Sequence, residues 1–298
     1  MVEATITRAG TMNEKSASGE LEVRDVSKFY GTDRYPKTVV DNCSFIVKRS
    51  KLTVMIGPSG SGKSTIVRLL ASFEQPSTGV VLLDGKKVTK PDRDRLVVFQ
   101  ESALYPWMTT YENVVFGPKA QGRQGEPLAE AARGVIDRVG LSQFQKSYPN
   151  QLSGGMQRRA ELARALINNP AIMILDEPFR GLDAMTKGLM QEYYAQLFEN
   201  SQSTHLFVTT DIDEAIFLAD RLLIMSNFPL RLRQVIDVDL PRPRRLADVV
   251  TSDAANQLKM TALSILHEEA LKSFAVGNQM ADHFIESYKQ RYRPDASD

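Results

Sequence analysis

The stretch GPSGSGKST, Gly57 to Thr65, follows the apolar run LTVMI at 52–56 and leads into IVRLLAS, so the order is strand, glycine-rich turn, helix N-terminus. That is the context a phosphate-binding loop requires. Gly57, Gly60 and Gly62 let the backbone curl until successive N–H groups point at a polyphosphate, and the following helix adds the positive end of its dipole. Pro58, Ser59 and Ser61 fill out the turn. Lys63 is expected to reach the β- and γ-phosphates, the Ser64 hydroxyl to bind Mg²⁺, and Thr65 to complete the phosphate cradle.

The chain as a whole is consistent with a nucleotide-binding globular protein. At 298 residues and 42% hydrophobic composition it can bury a substantial core, as one large domain or a domain with an appendage. A formal net charge of +1 gives no global reason to expect nucleic-acid or membrane-surface binding. The single cysteine, Cys43, cannot form an internal disulfide, which fits a reducing compartment; its plainer role is as a small buried residue. No apolar run approaches the ~20 residues that span a bilayer. Work at a membrane would therefore need another chain to supply the spanning helices.

Working outward in chain order, residues 1–20 lack hydrophobic period and read as a flexible leader. LEVRDVSKFY alternates like a half-buried strand, and VVDNCSFIV adds a further strand before the loop, suggesting a β-rich flap. Tyr30, at the end of the first strand, can stack on an adenine base or be an ordinary strand-end aromatic. After the loop, Asp84-Gly85 marks a turn between VVLL and KKV, and RLVVFQ is a buried strand ending at Gln100. Ligands in open α/β sheets bind at the carboxyl ends of strands, which places the Gln100 amide near Mg²⁺ or an attacking water. Beyond it, Tyr105 and Trp107 lie in an exposed loop, where Trp107 either packs or receives a partner's helix.

LSGGMQRRAELARALINNP opens with Ser153 as helix N-cap, followed by Gly154 and Gly155. Two glycines in a first helical turn cost stability, so something must approach that backbone closely; a γ-phosphate suits it. One chain holds one phosphate loop, and a second anion site implies that two copies share nucleotides. AIMILDEP is a buried strand ending in Asp176, suited to the hydrated Mg²⁺, and Glu177, suited to orienting and deprotonating water. The remaining alternation, a helix after Asp183, HLFVTT, DIDEAIFLADR and RLLIMSN, argues a mainly parallel sheet with helices on both faces. Beyond Asn227, RLRQVIDVDL reads as a strand, PRPRR as a basic linker with Arg242, Arg244 and Arg245 in a solvated turn, and 253–274 as a helix.

Taken together, GPSGSGKST, Gln100, LSGGMQ, ILDEP, Asp183 and TTDIDEA resemble, in order and spacing, the ATP-binding subunits of ABC transporters. The resemblance covers about 21–226, and DIDEAIFLADRLLIMS followed by VDLPRPR looks like the nitrate, sulfonate and taurine uptake branch. It implies a RecA-like α/β P-loop NTPase core with an antiparallel β flap, a helical subdomain at about 101–165, and a carboxyl-terminal part at 227–298 of strand, basic linker and helix. It also implies Mg-ATP bound between two subunits, identical or different. Ser153, Gly154, Gly155 and Gln157 would face the partner's γ-phosphate, Asp183 would sit in the D-loop, Tyr30 would stack on adenine, and Glu177 would be the general base. Ser102, Tyr105 and Trp107 would meet a coupling helix of an integral-membrane permease, at the cytoplasmic face of the membrane, in a system that also uses a solute-binding protein.

The sequence departs from that family at two points. Thr210 stands where the family has a histidine that holds the γ-phosphate and water, and His205, five residues back along a strand at ~3.3 Å per residue, is too far to replace it. Arg180 and Gly181 occupy D-loop positions where a glycine and a small residue are usual. Both changes bear on the hydrolysis rate more than on ATP binding. The main expectation is an ATPase energising an importer of a small anion or organic solute. A soluble ABC ATPase acting in assembly or regulation is the alternative, whereas a small-molecule kinase would leave LSGGMQ without a purpose.

Overall fold

The computed structural model describes residues 19–32, 35–201 and 203–277. Of the leader expected over 1–20, residues 1–18 lie outside them, as does the closing segment from 278, whereas Gly19 and Glu20 are tied to the fold, Gly19 N donating to Ala171 O at 3.1 Å and Glu20 N to Asp84 Oδ1 at 2.9 Å. The first two strands, β1 (Leu21–Thr32) and β2 (Tyr35–Val47), pair antiparallel, and β3 (Leu52–Ile56) follows after a short turn. Helix α1 (Lys63–Leu70) leaves the phosphate loop directly. Strands β4 (Thr78–Leu83) and β5 (Lys86–Lys87) are joined by Asp84 and Gly85, both at positive φ (49° and 76°), the backbone that a two-residue hairpin turn demands. With order β2-β1-β4-β5 these strands make the antiparallel flap.

The second sheet is built from β3, β6 (Arg95–Val98), β7 (Ile172–Asp176), β8 (Thr204–Thr209), β9 (Arg221–Met225) and β10 (Leu232–Asp237), ordered β10-β9-β3-β8-β7-β6. All neighbours are parallel except β10, which returns antiparallel to β9. β3, β7 and β8 are buried at every position, which is why LTVMI, IMILD and THLFVT read as continuous runs rather than alternations. One face of this sheet, with Met55, Ile174 and Val208, packs on α1 and on the flap through Val23, Val26 and Cys43. The flap and α1 together cover this face. The other face packs on α5 (Ala184–Glu199), α6 (Ile212–Leu218) and the long α8 (Asp253–Gly277).

Between β6 and β7 the chain makes α2 (Thr110–Ala120), α3 (Glu126–Arg138) and α4 (Gly154–Leu166). These share a core of their own, including Val114, Leu128, Ile136, Leu141 and Ala163. Thr109 starts α2 through a capping box: its hydroxyl accepts from Glu112 N at 3.3 Å, and Glu112 Oε2 accepts from Thr109 N at 2.8 Å.

Of the arginines in the PRPRR segment only Arg245 is exposed as expected; Arg242 and Arg244 are not solvated. Arg244 is buried and donates to the carbonyls of Phe217 (3.0 Å), Ala219 (2.8 Å) and Leu240 (3.0 Å), and Arg242 bonds Asp220 at 2.8 Å and Leu218 O at 2.6 Å. The last carbonyls of α6 have no intrahelical donors, and two guanidinium forks supply them. Burial lowers the Arg244 pKa to about 10, which leaves it charged at neutral pH. The segment after Met225 is thereby fastened to the sheet, and Val238, Leu240, Ala255 and Ala262 join the same core as β3 and β8. A short α7 (Leu246–Thr251) precedes α8.

Candidate active site

At the carboxyl end of β3 the chain turns through Gly57 to Gly62. Gly60 and Gly62 lie at φ +76° and +114°, where side chains are strained, and a Cβ on Gly62 would come within 3.1 Å of Val39 O. Lys63, almost fully buried, donates from Nζ to Gly57 O at 3.0 Å and Pro58 O at 2.8 Å, folding back over the loop. Its Nζ also stands 3.9 Å from Glu177 Oε1. Burial lowers the Lys63 pKa, and the neighbouring Glu177 and Asp176 carboxylates oppose that shift. Ser59 and Ser64 are exposed and Thr65 half-buried, while Ser61 is buried with its hydroxyl unpartnered.

β7 delivers Asp176 and Glu177 to the same place, because β3 and β7 flank β8 in one sheet. The Ser64 hydroxyl faces the Asp176 carboxylate, whose pKa burial raises against that hydrogen bond. Asp176 Oδ1 is buried with no hydrogen-bond partner. An unpaired buried carboxylate oxygen beside a serine hydroxyl is a donor set that suits a hard cation such as Mg²⁺, which takes few protein ligands and completes its shell with water and phosphate oxygens. Among the described residues no cluster of three or more His, Cys, Asp or Glu side chains offers an all-protein cage.

Glu177 adopts φ +45°, a left-handed backbone for a non-glycine residue, with its N–H donating to Val208 O at 2.9 Å. Its second oxygen, Oε2, accepts from Arg180 Nη1 at 3.0 Å. Tyr30, at the exposed end of β1, donates to Glu74 Oε2 at 2.5 Å and carries Lys28 Nζ 5.1 Å from its ring centroid. Gln100 lies just past β6, its side chain exposed and its carbonyl accepting from Arg158 Nη2 at 2.5 Å.

Ser153 caps α4, its hydroxyl accepting from Met156 N at 3.3 Å, and Gly154 is exposed after it. A Cβ on Gly155 would meet Thr186 Cγ2 at 3.0 Å, so that glycine is set by close packing on α5. Gln157 spends its amide nitrogen inside its own chain, on Pro149 O (2.8 Å) and Leu152 O (3.2 Å), bracing the turn before Ser153. Asp183 caps α5 by accepting from Thr186 N at 3.0 Å, and the Thr186 hydroxyl, followed by that N–H, holds its pKa down. The turn at Ser153 to Gly155 thus packs beside Leu182 and Thr186, on either side of Asp183.

Thr210 is exposed just after β8. The preceding Thr209 donates from its hydroxyl to Glu214 Oε2 at 2.5 Å, Gln191 Nε2 donates to Glu214 Oε1 at 3.0 Å, and Lys187 Nζ bonds Asp211 Oδ2 at 2.6 Å. This network around the Thr210 turn escaped the sequence reading; the TTDIDEA string held its letters but not its partners. His205 is buried mid-strand between Tyr194 and Phe198, away from the loop.

On the helical unit, Trp107 is 69% exposed and stands 5.5 Å from the ring of Tyr105, which lies 4.8 Å from Phe116. Tyr105, Phe99 and Phe116 line a groove of about 520 Å³, with Ser102 exposed on the loop that leads into it. Trp107 is therefore a surface residue and not part of a core.

A family model for ABC transporters matches residues 40–180. The chain is 41% identical, over 83% of its length and 90% of the relative's, to the bicarbonate transport ATP-binding protein CmpD of Synechococcus elongatus. The chain belongs to the ABC transporter ATP-binding proteins. As a member of that family it is an ATPase on a RecA-like P-loop fold. The aliphatic sulfonates import ATP-binding protein SsuB of Bacillus cereus is 37% identical over 75% of this chain and 88% of its own. A solved dimeric ATP-binding cassette in a post-hydrolysis state with ADP and Pi is 28% identical, covers 74% of this chain and all of its own, and superposes with a TM-score of 0.64. Among the described residues no helix is long and apolar enough to cross a membrane.

Proposed function

We propose that this ABC ATPase energises uptake of a small anion or organic solute, of the nitrate, sulfonate or taurine kind, through a separate integral-membrane permease at the cytoplasmic face of the membrane. The observation that carries the transport reading is the groove lined by Phe99, Tyr105 and Phe116 just past β6, with the exposed Trp107 ring 5.5 Å from Tyr105 beside it. Exposed aromatics beside a pocket are what a docking helix uses as anchors. The solute class is supported by relatives that serve bicarbonate and sulfonate systems.

In the proposed cycle, Lys63 exchanges its bonds to Gly57 O and Pro58 O for the β- and γ-phosphates, while the loop N–H groups from Gly60 to Thr65 cradle them and Tyr30 stacks on the adenine. Ser64, Asp176 and Gln100 would hold Mg²⁺, which supplies charge neutralisation at the phosphate oxygens. Glu177 orients the water and takes its proton as the water oxygen bonds to the γ-phosphorus and the bond from that phosphorus to the β–γ bridging oxygen breaks, so that ADP departs and phosphate is formed. Ser153, Gly154 and Gly155, presented by the turn that Gln157 braces, meet the γ-phosphate bound to a second ATP subunit, with Asp183 lining the same interface. A solute-binding protein delivers the cargo to the permease.

Affinity purification of this chain from its native membrane, with the co-purifying proteins identified, tests the reading. A multi-span permease is the expected companion; repeated recovery of soluble partners without one would turn the assignment to a non-transport ABC ATPase.

A further inference from the structure

One buried ion pair on the signature helix holds a loop to which neither of its residues belongs. Arg158 and Glu161 lie one turn apart on α4, 7% and 4% exposed, joined by a 2.5 Å bond from Arg158 Nη1 to Glu161 Oε2. The same guanidinium donates to Phe99 O at 2.7 Å and Gln100 O at 2.5 Å, and Glu161 Oε1 accepts from Ala103 N at 2.6 Å. Arg164, also on α4, donates to Ala103 O at 2.7 Å. Asn113 on α2 pairs with both Tyr105 N (2.8 Å) and Tyr105 O (3.1 Å). The backbone from Phe99 to Tyr105 is thus moored to the helical unit at Phe99, Gln100, Ala103 and Tyr105.

Stability alone does not account for this arrangement. Taking two charges out of water is costly, and a well-packed apolar pair of similar volume is often as stable or more so. What an apolar pair lacks is a planar fork that grips two carbonyls while its partner takes an amide. Arg158 stands four residues from Gly154 on the same helix, about 6 Å along its axis at 1.5 Å per residue. A displacement of the Gln100 backbone is therefore passed to the signature residues through one rigid turn.

We propose that the Arg158–Glu161 pair is a positioning strut that makes the Phe99–Ala103 loop and the N-terminus of α4 at Ser153 to Gly155 move as one body. Events at Gln100 and at the aromatic groove then reach the signature by the same mechanical route. For what arrives at the groove, this rests on the transport reading above; the strut itself does not.

The test uses the full chain carrying Arg158→Met with Glu161→Leu, which keeps volume and removes the charges together, and Glu161→Gln as the conservative variant. In hydrogen exchange without permease, the amides of 99–103 in the double variant should exchange at least about tenfold faster, with those of α4 beyond Arg158 within about twofold of the parent. In the assembled complex, stimulation of hydrolysis by the permease should fall at least about fivefold while ATP affinity stays within about twofold, and Glu161→Gln, which still accepts from Ala103 N, should lie between. Loop exchange equal to the parent's, or full stimulation in the double variant, would overturn the strut. A parent that shows no permease stimulation would instead sink the transport reading, and the exchange result would still decide the strut.

Discussion

Arg180 Nη1 donates to Glu177 Oε2 at 3.0 Å, so the carboxylate proposed as general base is gripped by a D-loop guanidinium from its own chain. Lys63 Nζ stands 3.9 Å from the other oxygen. In the proposed cycle, Lys63 turns to the phosphates, which would leave Arg180 as the cation on Glu177 and Oε1 as the oxygen free to meet the water.

Arg180→Ala should lower the hydrolysis rate at saturating ATP only slightly. The arginine side chain is 55% exposed, and such pairs contribute about 1 kcal/mol or less, which limits the loss to about fivefold with little change in KM. Steady-state kinetics of the variant checks this. A loss of a hundredfold would mean that Arg180 touches the reacting groups, whereas a faster variant would show that the guanidinium holds Glu177 back.

Lys63→Ala should weaken ATP binding by roughly ten- to a hundredfold, the equivalent of a charge-assisted contact of about 1.5 to 3 kcal/mol. Equilibrium titration with a fluorescent ATP analogue reads it. The lysine's hydrogen bonds go to two carbonyls of its own loop and its 3.9 Å ion pair to Glu177 is long, so its removal should cost less in melting temperature than in affinity. Unchanged affinity would mean that the phosphates bind elsewhere.

Much of this site is legible in the sequence because its parts are local. Gly60 and Gly62 announce positive φ, Ser153 announces a cap, and the apolar runs before Gly57 and Asp176 announce central strands. What sequence cannot show is partnership across distance. Arg242 and Arg244 look solvated beside two prolines, yet the bare carbonyls at the end of α6 claim them. Arg158 and Glu161, three residues apart on one helix, carry no local mark of the loop backbone that the fold presses against them. Glu177 gives no local hint of its left-handed backbone, which the hydrogen bond to Val208 O helps to impose.

His205 should make stability depend on acidity. Burial lowers its pKa to about 3 from the ordinary 6.5, and the neutral ring is satisfied at both nitrogens, by Tyr194 Oη (2.6 Å to Nδ1) and Ser203 Oγ (2.7 Å to Nε2). Between those two values the unfolded chain binds the proton and the folded chain does not. This group's contribution is therefore fully present above pH 6.5 and is lost as pH falls toward 3, with a slope of up to about 1.4 kcal/mol per pH unit. Denaturant titrations of the parent and of His205→Gln from pH 7.5 to 5 should show the parent losing stability faster, by up to one proton's slope. Parallel curves would mean that the ring is protonated in place.

Glu177→Gln should trap an ATP-bound dimer, since the amide keeps the shape of the carboxylate but cannot take the water's proton. With ATP and the permease present, size measurements should show a dimer for the variant that outlasts the parent's. The same monomer fraction with and without ATP in both proteins would remove the shared-nucleotide arrangement and, with it, the assignment of Ser153 to Gly155.

Thr210→His should accelerate hydrolysis. The position is exposed just beyond β8, so a larger ring meets no core, and the turn that aims it is fixed by Thr209 on Glu214 and by Lys187 on Asp211. A threonine hydroxyl is shorter than an imidazole by several atoms and offers one neutral donor. Loss of a donor to developing charge slows a reaction by roughly a hundred- to a thousandfold, or about 2.7 to 4 kcal/mol, with much less effect on ground-state binding. Restoring a long donor on a fixed turn should therefore raise the rate at saturating ATP by about tenfold or more in the assembled complex, allowing for imperfect placement, while ATP affinity changes little. An unchanged or lower rate would show that this chain has another way to position its water, without help from residue 210.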